Sequence, residues 1–218
     1  MFSSVRPKNS RKLGRIAALT AATTVALGTL AATPASAADP EEFPVTFAVT
    51  GSTVVKKTGS TVKLGPGTLN GAIVIDGDDV GIRGDLSLPP STANISLASG
   101  IFRIKATIKV VPAGPVNGVI ANGDLVTHAS VNMEISDIKV GLIIPVIPLP
   151  TVPKSCKTVS PIAMDLITKN VDLFAPTITQ TGTYTIPAFK DCFIADLALG
   201  AMVSGPGNTI SLDLTSTV

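Results

Sequence analysis

His128 is the single histidine of the 218-residue chain and therefore the only imidazole that could serve as a general base. A base of that kind needs an acid to orient it and a nucleophile within hydrogen-bond reach. Glu134 shares its strand face, but six residues of extended chain put the two about 20 Å apart. An orienting carboxylate must therefore come from elsewhere in the fold. The sequence holds no G-x-S-x-G nucleophile elbow. His128 reads first as a polar residue on an outward strand face, so no catalytic residue is assigned, and a hydrolase built on it stands as the alternative.

Two further groups have chemistry within reach. Asp76-Gly77-Asp78-Asp79, with Asp85 close behind, could offer carboxylate oxygens to a hard cation such as calcium. The spacing is not that of an EF-hand, and Asp-Gly is ordinary turn chemistry, so a solvated turn is expected. Arg103, Lys105 and Lys109 form a cationic stripe that could meet anionic polymer or lipid headgroups. The same stripe would keep a strand from pairing edge to edge with another chain. With no tryptophan and one tyrosine, Tyr184, the chain lacks the stacking platforms of nucleic-acid recognition. Cys156 and Cys192, the only cysteines, find too few companion ligands for zinc. No cofactor and no metal site are expected.

The N-terminus places those cysteines in an oxidising compartment. Residues 1–15 hold five basic residues and no acid, followed by an uncharged stretch from Ile16 to Ala32 and then Ala35-Ser36-Ala37. That layout is a secretory signal peptide with cleavage after Ala37, most simply on the general secretory route. A retained anchor is the competing reading, since about 17 apolar residues nearly span a bilayer. Cleavage leaves a single domain over residues 38–218. It also removes five of the 17 basic residues, leaving 12 against 15 acidic ones, a net charge of −3. Global charge then gives no argument for a polyanionic partner. Two exported cysteines pair as one disulfide, and closing that loop stabilises the fold by roughly 3–4 kcal/mol.

Period-two alternation dominates the elements that must position these groups. Phe102, Ile104, Ala106, Ile108 and Val110 point one way; Arg103, Lys105, Thr107 and Lys109 point the other. Leu125, Thr127, Ala129, Val131, Met133 and Ile135 form a second inward set opposite His128, Ser130, Asn132 and Glu134. Both are half-buried strands. Shorter patterns occur at 43–50, 53–57, 72–75, 183–186 and 209–215. Asp76-Gly77, Gly114-Pro115, Asn122-Gly123 and Gly205-Pro206-Gly207-Asn208 supply turn signals between them. The only helix candidate is the Ala- and Leu-rich 193–203, with a buried strand as the alternative there. The predicted fold is all-β, an antiparallel sandwich or barrel-like sandwich with at most one short helix and one disulfide.

One ribbon stands apart. From Gly141 to Cys156 the chain is apolar and stiffened by Pro145, Pro148, Pro150 and Pro153. Prolines deny regular ladder bonds, which predicts an extended connection leaving a strand that ends near Val140. Leu142, Ile143, Ile144, Val146, Ile147 and Leu149 are its apolar contact or lid residues. They either cover an open end of the core or present a contact patch. Cys156 would tether the ribbon to Cys192, beside Phe189.

Several stretches, FPVTFAVTGS, GDLSLPPS, PKSC, GTYTIPAFKDC and SGPGNTISLDL, together resemble a set of small secreted actinobacterial proteins. The likeness covers most of the mature chain and is best marked over 182–192 and 204–214. It implies an exported β-rich domain with one disulfide and carries no catalytic residues. The expected role is a non-catalytic protein, secreted or held non-covalently at the cell envelope, that binds an apolar, lipid-like ligand or a protein partner. A hydrolase using His128 and a channel-forming envelope barrel are the alternatives. Against the channel, lipid-facing barrels carry aromatic girdles, and aromatic residues make up 4% of this chain.

Overall fold

Asn122 and Gly123 both hold positive φ, 53° and 83°, the backbone demand of a two-residue type I′ hairpin turn. The turn sets the register of the longest strand, around which the rest of the sheet is arranged. The computed structural model describes residues 39–97, 102–142, 146–148, 156–193 and 195–217. Through them the chain forms β1 (Glu41–Val55), β2 (Ser60–Asp76), β3 (Asp79–Ser87), β4 (Ser91–Leu97), β5 (Phe102–Pro112), β6 (Val116–Ala121) and β7 (Asp124–Leu142). There follow β8 (Val146–Pro148), β9 (Lys157–Thr158), β10 (Ile162–Thr168), β11 (Thr177–Ile186), β12 (Phe189–Lys190), the helix α1 (Ala195–Met202) and β13 (Gly205–Ser216).

Eight of these strands close on themselves. Antiparallel ladders run β1–β2–β3–β6–β7–β10–β11–β13 and back to β1. The all-β expectation is met, and closure into a barrel leaves no free edge around that ring. Asp137 (φ 52°) bulges β7 opposite the shift between Lys105 and Thr107. The bulge resets the alternation, so Ile135 and Ile138 are both buried although three positions apart.

The wall changes composition along its length. β6 lines the first half of β7 and β5 lines the second, with Ala113-Gly114-Pro115 as the break between them. Beyond the break β5 carries β4 on its outer edge, and β4 lies against β2. This extends the wall toward the end where α1 sits. At the opposite end Phe47, Ile82, Leu125 and Ile178 fill the interior.

Two expectations change. Gly205-Pro206-Gly207-Asn208 is not a turn but the start of β13, paired with β11 through Asn208 and Tyr184. Asn208 is buried, accepting from Lys56 N at 3.0 Å and donating to Tyr184 O at 3.2 Å and Gly205 O at 2.8 Å. It therefore satisfies backbone groups of three segments at once. The proline ribbon is also not wholly unpaired: β8 folds back on β7, matching Val140 with Ile147 and Lys139 with Pro148.

Replacing Asn208 with Leu keeps its branched outline but adds volume and leaves buried backbone groups unpaired. Asn208→Leu is expected to lose about 3 kcal/mol of stability, read as a lower urea midpoint with unchanged slope.

Candidate functional site

The inward faces of these strands do not fill the barrel. A cavity of about 340 Å³ occupies the half nearer α1, within the usual range of small-molecule sites. Val49, Leu64 and Leu212 come from the barrel ring, Ile95 and Ile108 from the β4–β5 extension, and Leu199 from the helix above. No charged side chain lines it among the described residues, and its polar side chains are Thr53, Thr127, Gln180 and Tyr184.

Those four form two pairs. The Tyr184 hydroxyl lies 2.6 Å from Thr53 Oγ1, and Thr53 donates to Thr209 O at 2.8 Å. Thr53's proton is thus committed, so Tyr184 donates to Thr53 and keeps its acceptor capacity. Gln180 Nε2 donates to Thr127 Oγ1 at 2.6 Å. Gln180 belongs to β11 and Thr127 to β7, so the amide reaches over β10, the strand between them. Gly118, cross-strand from Thr127, leaves room there: a Cβ on it would come within 3.0 Å of Thr127 Oγ1. Burial pushes the Tyr184 phenol above its ordinary value of 10.0.

The roof is α1. Leu199 and Val203 are buried beneath it, while Phe193, at φ 58° and 73% exposed, stands at the cavity's rim. Lys57 Nζ donates to Gly200 O at 3.2 Å and Ala201 O at 3.1 Å, satisfying carbonyls of the last helical turn from the β1–β2 hairpin. At the other end the disulfide joins Cys192 to Cys156, both fully buried. Cys156 is itself held to the wall, its carbonyl accepting from Ile135 N at 3.0 Å. The expected cysteine pair is present, and what it anchors among the described residues is the helix. Of the ribbon residues named as lid or contact, Ile143, Ile144 and Leu149 lie outside the described residues. The side chains of Leu142, Val146 and Ile147 lie outside the description as well.

No protein-family model, curated protein or solved structure matches this chain. The geometry alone has to sort the remaining residues.

His128 does find an acid. Asp165 on the neighbouring β10 brings Oδ1 to 2.6 Å from Nδ1, through a register that no spacing along β7 could reveal. Both side chains point outward, 60% and 70% exposed, on the far side of the wall from the cavity. Glu134 pairs instead with Lys109 at 3.3 Å. Asp76 and Asp79 close the β2–β3 hairpin over Gly77, whose φ of 60° is the turn's requirement. Among the described residues no three His, Cys, Asp or Glu side chains gather as a metal-ligand set. Asp124 has a structural use: Lys169 and the Asn170 amide bond to it, holding its carboxyl below the usual range and fastening the β10–β11 loop to the β6–β7 turn.

Gln180 and Tyr184 were legible as inward residues but not singled out. In TITQTGTYTI the alternation places Ile178, Gln180, Gly182, Tyr184 and Ile186 on one face. A glutamine and a tyrosine among isoleucines on an inward face are the signal.

Two outcomes follow. A raised folded-state pKa means the native protein binds the phenolic proton more tightly than the unfolded chain does. Its stabilising share is complete below pH 10.0 and is lost as pH climbs through the raised value. Because Tyr184 is the single tyrosine, urea unfolding across that range in wild type and Tyr184→Phe isolates the effect, and the variant should lose less stability. Removing the disulfide with Cys156→Ala and Cys192→Ala should cost roughly 3–4 kcal/mol. Limited proteolysis should then cut first around α1.

Proposed function

We propose that the protein is exported, is trimmed after Ala37, and holds an apolar, lipid-like molecule inside its barrel without acting on it chemically. The observation that carries this reading is the cavity of about 340 Å³ with an uncharged lining among the described residues. Uncommitted apolar volume is unfavourable for stability, because each missing contact forfeits packing energy. A protein that keeps such volume gains from filling it with a ligand. The disulfide is compatible with an oxidising compartment. No helix among the described residues is long and apolar enough to cross a membrane.

The outward surface argues for a water-facing barrel. Thr177, Thr179, Thr181, Thr183 and Thr185 follow one another along the outside of β11, with Thr209 and Thr215 beside them on β13. A lipid-embedded barrel carries the opposite alternation, apolar outside and polar within. The His128–Asp165 pair favours a hydrolase only if a substrate docks on the exposed outer wall, away from the cavity.

A homologous series of n-alkyl methyl ethers, displacing an apolar fluorescent probe, tests the reading. Affinity should rise about fourfold per added methylene until the cavity is full, then level off. Ala129→Phe, which fills the cavity from its wall, should abolish binding while the variant still unfolds cooperatively. His128→Ala should leave the series unchanged. Ethers that fail to displace the probe at every length, or that bind Ala129→Phe as well as wild type, would overturn the proposal.

A further inference from the structure

The four polar side chains in an otherwise apolar cavity are arranged for something more specific than hydrocarbon. Gln180 and Thr127 are 3% and 2% exposed. Between them they carry three polar protons and two oxygens, yet one hydrogen bond joins their side chains, Gln180 Nε2 to Thr127 Oγ1. Among the described residues Gln180 Oε1 accepts no hydrogen bond, although the residue lines the cavity. Ser204 Oγ is the one fully buried side-chain polar atom left without a partner among the described residues, so Gln180 Oε1 faces the space of the cavity, where a donor can reach it. Tyr184 adds a second acceptor on the same strand face, four residues along β11 and about 13 Å away.

We infer that the cavity takes a neutral, hydroxyl-bearing apolar molecule, with its hydroxyl seated at Gln180 and Thr127. This rests on the cavity being a ligand site. The position is the floor of the cavity: below it Leu125 and Ile178 fill the barrel, and above it the apolar walls run up to α1. A ligand entering beneath Phe193 therefore goes in hydroxyl first and leaves its hydrocarbon against Leu64, Ile95 and Leu199. A hydroxyl suits this place because it both donates and accepts. It can give its proton to Gln180 Oε1 and receive one from the amide or from Thr127. An ether can only accept. A carboxylate would bring a charge into a lining that offers no cation among the described residues, which is strongly unfavourable.

The test compares dodecan-1-ol, its methyl ether and dodecanoate on the oxidised full chain, by displacement of an apolar fluorescent probe. One added hydrogen bond should favour the alcohol over the ether by about tenfold. At about pH 8, where the acid is ionised, dodecanoate should bind more weakly than either. Gln180→Leu and Thr127→Val are apolar replacements that remove the polar pair one member at a time. Gln180→Leu removes the acceptor of the hydroxyl proton and should reduce the alcohol's advantage to about onefold while changing ether affinity little. Thr127→Val keeps that acceptor and should keep most of the advantage, with cooperative unfolding confirming the fold of both. Equal binding of alcohol and ether to wild type would overturn the inference while leaving the apolar cavity standing as a site. So would a preference that survives in Gln180→Leu, or dodecanoate binding as tightly as the alcohol. Failure of all three to displace the probe would remove the cavity reading itself, and this inference with it.

Discussion

The ladder between β7 and β10 closes the sheet, matching Ile162 to Val131 at one end and Thr168 to Leu125 at the other. Everything inside depends on that seam. Without it β7 and β10 would present unpaired edges, and an inward face of Val, Ile, Leu and Met would meet water. With it, the same residues become the shared lining of one interior. The seam joins strands separated in sequence by the β8–β9 segment. Its formation therefore waits on loop closure over a long stretch of chain, unlike the local hairpin at Asn122-Gly123.

Closure creates two different halves. At the end away from the helix, Phe47, Ile82, Leu125 and Ile178 meet across the barrel and fill it. At the other end β4 and β5 replace β3 and β6 beside β2 and β7, and the described side chains there leave the cavity between them. Ala93, Ala106 and Ala129 all point into that half. Small residues on adjacent strands of one wall leave volume that larger ones would remove.

The roof then needs fastening, because a helix of eight residues has little stability of its own. Three devices hold it: apolar packing through Leu199 and Val203, the Lys57 ammonium on its C-terminal carbonyls, and the disulfide immediately before it. The disulfide reaches β7 through the Cys156 carbonyl, so the helix is tied to the strand whose ladder closes the barrel. Roof and seam are mechanically one unit.

What the sequence determined by itself was local. Alternation along 102–110 and 125–135 assigned the inward faces correctly wherever side chains are described, because a strand's period of two needs no knowledge of its partners. Asn122-Gly123 specified its hairpin, since few residues tolerate positive φ. The paired cysteines and the helix within 193–203 were legible for similar reasons of chemistry and composition. The tertiary structure decided what depends on register between distant strands. It chose a closed barrel over a sandwich, gave His128 an acid from β10, and drew Gly205–Asn208 into a strand. It also set Gln180 of β11 against Thr127 of β7. Such pairings follow from which strands become neighbours, and a one-residue slip would turn every one of them to the other face. No spacing within a single strand carries that information.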